Sequence, residues 1–345
     1  MALLEIVEGA HALDEAERYA SADVDDVYVF ATSGSTGKPK RVLLGRRAIA
    51  ASARFAAERL GPRGAWLLAL PAHYVAGFNV ISRAVDMDAG LVAMPDGSFT
   101  ATGFAEATAQ LPDGPRYTSL VPAQLARLLD DPTGTAAIAS YDRLLLGGQA
   151  ADVATVRRAR AAGVRLSTTY GMSETSGGCL WDGLPLGDVE IRLLEGVVHL
   201  AGSVLADGYL DDPELTAEAF PVIDGRRWHR TSDFGELRDG RLTILGRVDD
   251  VIVSGGLKVS LAAIESLLRD QPGFADSVVV RAADDTWGEV PVVVTTSSDE
   301  VAVDALTGVL GPAARPARIV RMPELPRLAS GKPDRMAIRS LVAHR

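Results

Sequence analysis

The chain has 345 residues, 47% of them hydrophobic and 23% charged, with a net charge of −10. That is ordinary globular material, long enough for one large and one small domain, and its acidity argues against nucleic acid as the main partner. The single cysteine, Cys179, excludes an intrachain disulfide and fits a reducing cytoplasm; the acidic start lacks signal-peptide character, and no apolar run approaches the length of a membrane span.

The predicted elements begin with VYVFA (27–31), which reads as a buried strand. After it come TSGSTGKPK (32–40) and a helix carrying Ile49, Ala53, Ala57 and Leu60 at helical spacing. AWLLAL (65–70), GLVAM (90–94) and YTSLV (117–121) are the next strands. Pro122 then opens a helix with Leu125, Leu128 and Leu129, since its missing N–H costs nothing in a first turn. DRLLLG (142–147) and VRLSTTYG (164–171) complete the series. Continuous apolar strands alternating with helices predict a parallel sheet covered on both faces.

The polar and glycine-rich segments share one position. TSGSTGKPK, PAHY (71–74), GGQA (147–150) and YGMSET (170–175) each follow or end a predicted strand. The carboxyl edge of an open α/β sheet is where ligands bind. From Leu184 onward the texture changes to short β patterns, with ELRDGRLTIL (236–245) a hairpin turning on Asp239-Gly240. GRVDDVIVSGGLKVS follows, then a helix at 260–270 with Leu261, Ile264 and Leu268 on one face. Strands SVVV and PVVVTT and a helix near 301–310 complete a small α/β domain, with the boundary at 246–250.

TSGSTGKPK resembles a phosphate cradle but is not the Walker pattern, because Gly37-Lys38 is followed by Pro39. Lys38, Lys40 and Arg41 form a positive cluster in an acidic chain, which a strongly anionic ligand explains. A solvated basic turn is the plainer alternative.

TSGSTGKPK, YGMSET, TSD (231–233), GRVDDVIVSGGLK and PRLASGK stand in the order and rough spacing of the acyl-adenylate-forming superfamily, and the chain resembles it over 27–332. The segments PAHYVAGFNVISRA, YTSLVPAQLARLL and DRLLLGGQA look most like its o-succinylbenzoate–CoA ligase family of menaquinone synthesis, in the short actinobacterial-type form. The resemblance implies an α/β protein with a large N-terminal domain at 1–246, containing a mostly parallel sheet and a small β subdomain. A hinge at 247–250 and a small mobile α/β C-terminal domain at 251–345 follow. It implies a cytoplasmic ligase using ATP, Mg²⁺ and CoA, with an acyl-AMP intermediate.

The implied roles fall on matching positions. Thr32, Ser33, Gly34, Ser35, Thr36, Gly37 and Lys38 would cradle the β- and γ-phosphates, with Gly148 alongside. Tyr170 would offer a face to adenine, Thr175 a hydroxyl to the α-phosphate and Glu174 an oxygen to Mg²⁺. Asp233 would accept from the ribose hydroxyls, with Arg247 adding a contact. His73, Phe78 and Asn79 would meet the acid; Arg83 is a candidate by charge for a second carboxylate but equally a helix-surface ion-pair residue. Lys332 would be the catalytic lysine of adenylation, Gly255, Gly256 and Lys258 the loop of the thioester step, and Asp249 the hinge.

Two departures stand out. Ser173 and Ser232 occupy positions where the superfamily usually has Thr and Gly. Full-length members also carry far more chain before the phosphate loop, so uncovered apolar surface makes a homodimer an expectation. The rival readings are a CoA ligase for another aryl or alkyl acid, transfer to a separate carrier protein, and a non-catalytic nucleotide-binding protein. No membrane span and no nucleic-acid partner is expected.

Overall fold

In the computed structural model, which describes residues 2–6, 11–32, 40–95, 97–149, 153–269, 271, 273–274, 276–326 and 333–343, the first apolar run forms the strand Val27–Thr32. It pairs antiparallel with Lys40–Gly45, in register from Val27 opposite Gly45 to Thr32 opposite Lys40. This corrects the sequence reading, which ran from the glycine-rich segment straight into a helix and placed the first strand in the parallel sheet. KRVLLG buries Val42 and Leu44 at a strand period of two before the helix Arg46–Leu60 begins. With only seven residues between its strands, the connection suits a hairpin; parallel pairing needs a crossover of about a dozen or more residues. Leu3–Glu5 flanks the hairpin on one side and Gly208–Tyr209 on the other. Tyr28, Phe30, Val42 and Leu44 point to one face and make a core with Tyr19, Ile49, Val75 and Phe78.

The predicted parallel sheet is present. Its strands run in the spatial order Leu91–Ala93, Ala65–Leu68, Arg116–Leu120, Arg143–Leu146 and Leu166–Met172, all parallel. Gly177–Trp181 and Leu184–Pro185 extend it antiparallel. Helices Val75–Asp86, Ala101–Ala109, Pro122–Leu129, Pro132–Ala139 and Val153–Ala161 connect its strands. Phe104, Leu120, Leu125, Leu128, Leu144 and Leu146 are buried in one cluster; each such side chain contributes about 1.5–3 kcal/mol relative to exposure. The strand order reverses between Ala65–Leu68 and Arg116–Leu120; in open α/β sheets ligands bind at the carboxyl ends of the strands beside such a switch point.

The chain divides into two compact units. One comprises Met1–Arg192, His199–Arg230 and Asp239–Arg241; the other comprises Leu193–Val198, Thr231–Arg238 and Leu242–Arg345. The hairpin predicted on Asp239-Gly240 joins His229–Arg238 to Arg241–Arg247, and both turn residues have positive φ (50° and 75°), as a tight two-residue turn requires.

In the second unit a short 3₁₀ turn, Val248–Asp250, leads into the hairpin of Val251–Ser254 and Leu257–Ser260. Ser277–Asp284 pairs antiparallel with Gly288–Thr295, and Arg318–Arg321 joins the latter in parallel. Alternate valines of the two long strands face opposite ways. Val279 and Val293 pack with Ile264 and Leu268 of the helix Leu261–Arg269, while Val278, Val280, Val292 and Val294 pack with Ile338 and Val342 of Arg335–Ala343. Among the described residues no helix is long and apolar enough to cross a membrane.

Candidate active site

Three of the four segments singled out lie where expected. Ala72 to Tyr74 follow the carboxyl end of Ala65–Leu68, Gly148 follows Arg143–Leu146, and Tyr170 lies near the end of Leu166–Met172. The fourth bridges the antiparallel hairpin. There Thr32 donates its hydroxyl to Lys40 O at 3.4 Å. Ser33, Gly34, Ser35, Thr36, Gly37 and Lys38 lie outside the described residues, as does Lys332.

The turn after Tyr170 is tightly built. Ser173–Thr175 forms one 3₁₀ turn, closed by Ser176 in a left-handed conformation (φ 52°). The Thr175 hydroxyl is 0% exposed; it accepts the Met172 N–H at 3.0 Å and donates to Gly177 O at 2.9 Å. That hydroxyl is spent on the turn, not presented to a phosphate as the sequence reading had it. The half-buried Ser173 side chain makes no hydrogen bond among the described residues. It is the hydroxyl that sequence reading passed over. The signal was its place one residue before Glu174, where the superfamily keeps a hydroxyl.

Glu174 accepts the Tyr209 phenol at 2.7 Å on Oε1, and its backbone carbonyl accepts the Ala206 N–H at 2.9 Å. Burial, and then the Glu174 charge, push the Tyr209 pKa well above the ordinary phenol value, so Tyr209 stays a donor. The second oxygen, Oε2, takes no hydrogen bond among the described residues. One uncommitted carboxylate oxygen suits Mg²⁺, which binds through one or two carboxylates plus phosphates and waters. No cluster of three acidic, His or Cys residues able to cage a metal occurs among the described residues.

Two residues expected to meet the acid are committed elsewhere. Phe78 is 1% exposed and lies 5.0–5.5 Å, ring to ring, from Tyr19, Tyr28 and Phe30. It faces the hairpin core because it lies one turn after buried Val75 on the same helix. Asn79 is 3% exposed and donates to Ser176 O at 2.8 Å, with Ser52 donating to the same carbonyl at 3.2 Å. Asn79 therefore anchors the turn that carries Glu174. Gly177 has φ 83°, and a side chain there would collide with Asn79, so the close approach requires glycine. His73 lies after the carboxyl end of Ala65–Leu68, half-buried, with its ring 4.2 Å from that of Tyr74.

Arg83, left open by the sequence, is the unusual group of this helix. It is 4% exposed, its buried Nε has no hydrogen-bond partner, its side chain makes no ion pair with a carboxylate among the described residues, and the guanidinium lies 5.5 Å from the centre of the Trp66 ring. Burial alone pulls its pKa down to about 10, so it is still cationic at neutral pH. An uncompensated buried charge costs about 3–5 kcal/mol. The sequence signal was a single cation within an otherwise apolar, buried run, VAGFNVISRAV.

Within the second unit, Asp233 lies 3.7 Å from Arg247, and its N–H donates to Thr231 Oγ1 at 3.1 Å. Lys258 Nζ donates to Glu195 O and sits 4.6 Å from the Phe234 ring centre. Gly255 and Gly256 make the turn before it, and Asp249 lies in the 3₁₀ turn Val248–Asp250. The residues flanking 327–332 are tied together: Asp334 N–H donates to Pro326 O at 2.8 Å. Arg335 then makes two bonds, of 2.7 and 2.8 Å, to the buried Glu265.

Comparison with known proteins matches residues 4–200 to the AMP-binding enzyme model and 263–332 to the AMP-binding enzyme C-terminal domain. A probable 2-succinylbenzoate–CoA ligase of Mycobacterium tuberculosis H37Rv is 39% identical over 92% of this chain and 84% of its own. The 2-succinylbenzoate–CoA ligase of Escherichia coli K12 is 30% identical over 98% and 73%. Among solved structures, E. coli MenE with a bound analogue of OSB-AMS superposes with a TM-score of 0.72 at 27% identity, covering 99% of this chain and 73% of that one. Bacillus subtilis MenE in complex with ATP and magnesium gives 0.73 at 26%, covering 90% and 69%.

Proposed function

The chain belongs to the AMP-binding enzyme family, and on that premise we propose that it is an AMP-forming acid–CoA ligase whose acid is 2-succinylbenzoate. One substrate carboxylate oxygen attacks the α-phosphorus of ATP; the bond to pyrophosphate breaks and an acyl-AMP forms. The CoA sulfur then attacks the acyl carbon, AMP leaves, and the thiol proton is released.

The first step sets two anions against each other. Like charges about 4 Å apart repel by about 4 kcal/mol at an effective dielectric of 20, so cations and N–H donors must offset them. In this reading the loop between Thr32 and Lys40, with Lys38, holds the β- and γ-phosphates, and Gly148 lies beside the nucleotide. Tyr170 stacks on adenine. The uncommitted Ser173 hydroxyl takes the α-phosphate contact, while Thr175 holds the turn. Glu174 offers Oε2 to Mg²⁺, which neutralises phosphate charge when bound. Asp233 and Arg247 serve the ribose. Lys332 acts in adenylation. Gly255, Gly256 and Lys258 act in thioester formation, with 247–250 as the hinge between the domains 1–246 and 251–345. The reading includes a cytoplasmic site of action and self-association as a homodimer.

The observation that supports the acid's identity is Arg83. An aromatic dicarboxylate leaves one carboxylate unreacted, and that group needs a cation out of water. A buried guanidinium with no carboxylate partner among the described residues, on the helix that follows the His73 segment, supplies one. Pyrophosphate release across a panel of acids tests this. 2-Succinylbenzoate should exceed benzoate and medium-chain fatty acids by at least about 100-fold in kcat/KM, the discrimination expected when a buried charge loses its partner. Equal use of a monocarboxylate would remove the dicarboxylate reading and leave the ligase.

A further inference from the structure

Glu174 does not stand alone: one residue joins it to the strand that leaves the phosphate hairpin. Tyr209 belongs to the two-residue strand Gly208–Tyr209, which pairs antiparallel with Lys40–Gly45, Gly208 opposite Leu43 and Tyr209 opposite Val42. On either side, Asp207 N–H donates to Leu43 O and Leu210 N–H to Arg41 O, both at 2.8 Å. Tyr209 N–H itself donates to Thr216 Oγ1 at 2.9 Å. The backbone is thus held on both edges. The ring is buried against Phe220, with centroids 6.0 Å apart, and Lys40 Nζ lies 5.2 Å from the ring centre. From that fixed base the phenol reaches Glu174 Oε1 at 2.7 Å.

We infer that Tyr209 is a positioning residue for the adenylation step. By occupying Oε1 it turns the single uncommitted oxygen of Glu174 toward Mg²⁺, and it ties that carboxylate to the strand beginning at Lys40, the last residue of the phosphate segment. The inference rests on the proposed role of Glu174. Partners of this kind orient a ligand without touching the metal, and their loss typically costs 10–100-fold in metal affinity. No local pattern marks Tyr209 for this role, because the contact spans 35 residues.

The test compares the native protein with Tyr209→Phe and Glu174→Gln. Binding of β,γ-methylene-ATP is measured by calorimetry at a series of Mg²⁺ concentrations, alongside the ligand-free thermal midpoint. Tyr209→Phe removes one hydroxyl and keeps the ring packing. It should raise the Mg²⁺ concentration for half-maximal nucleotide binding by about 10-fold. Metal-free nucleotide binding should stay as in the native protein, the ligand-free midpoint should fall only as far as the loss of one hydrogen bond to a carboxylate requires, and Glu174→Gln should raise the Mg²⁺ requirement at least as far. If Glu174→Gln shifts it and Tyr209→Phe does not, the positioning role is wrong and the role of Glu174 stands. If neither shifts, Glu174 is not the metal ligand and both fall. A Tyr209→Phe protein that binds metal-free nucleotide equally poorly would place the phenol's role in the fold, and would likewise overturn the inference.

Discussion

Lys332→Ala should lower acyl-AMP formation by about 10²–10³-fold, some 3–4 kcal/mol in the barrier, while leaving thioester formation from pre-made acyl-AMP close to native. The magnitude is that of removing one well-placed electrostatic contact from a transition state. The asymmetry follows from the chemistry. Only adenylation brings a carboxylate against a polyphosphate and releases pyrophosphate; in the second step a thiol meets an acyl carbon. A lysine is a compact charge on a flexible stem, suited to following charge as it moves from acid to phosphate. The residues that flank its segment are firmly held, through Asp334 to Pro326 and Arg335 to Glu265, so loss of the side chain should not loosen the fold. The check is a pair of half-reaction assays, pyrophosphate release for one and CoA consumption with synthetic acyl-AMP for the other. Equal loss in both would refute the division of labour.

Arg83→Met is the second large effect, and it should act in opposite directions on binding and stability. Removing a buried cation that has no carboxylate partner among the described residues relieves a desolvation penalty, and an apolar side chain of similar length fills the space. Such replacements are often neutral or stabilising by about 1–4 kcal/mol, so the urea midpoint of the ligand-free variant should equal or exceed that of the native protein. The same change leaves the second carboxylate of the acid unpaired, at a cost of about 2–5 kcal/mol. KM for 2-succinylbenzoate should therefore rise by about 100-fold or more, while the apparent affinity for ATP stays within a few-fold of native. A variant that is strongly destabilised would show that Arg83 has a structural partner. One that keeps native KM would remove it from the acid site.

What the sequence disclosed depended on how local each signal was. The parallel sheet was legible because its strands are unbroken apolar runs separated by helices. The hairpin at 239–240 was legible because Asp-Gly permits two positive φ values in succession. The strand Lys40–Gly45 was missed because a strand followed without a break by a helix leaves no punctuation between them. Within the helix Val75–Asp86 the sequence could not say which residues face the core, because nine of its residues are buried. Phe78 and Asn79 went to packing and to the Ser176 turn, and Arg83 was left as the uncommitted group. The difference between Thr175 and Ser173 was hidden for a related reason. Both are small hydroxyls, and only the fold shows that one is consumed by Gly177. Tyr209 could not have been found at all, since its role depends on strand pairing and on a contact distant in sequence.

The most direct measurement mixes the protein with Mg²⁺, ATP and 2-succinylbenzoate without CoA, quenches within one turnover, and separates the bound species. One equivalent of acyl-AMP with one of pyrophosphate, converted to AMP and thioester only when CoA is added, is the expected result. Release of ADP or free AMP with no acyl-AMP, or no reaction of ATP until CoA is present, would contradict it.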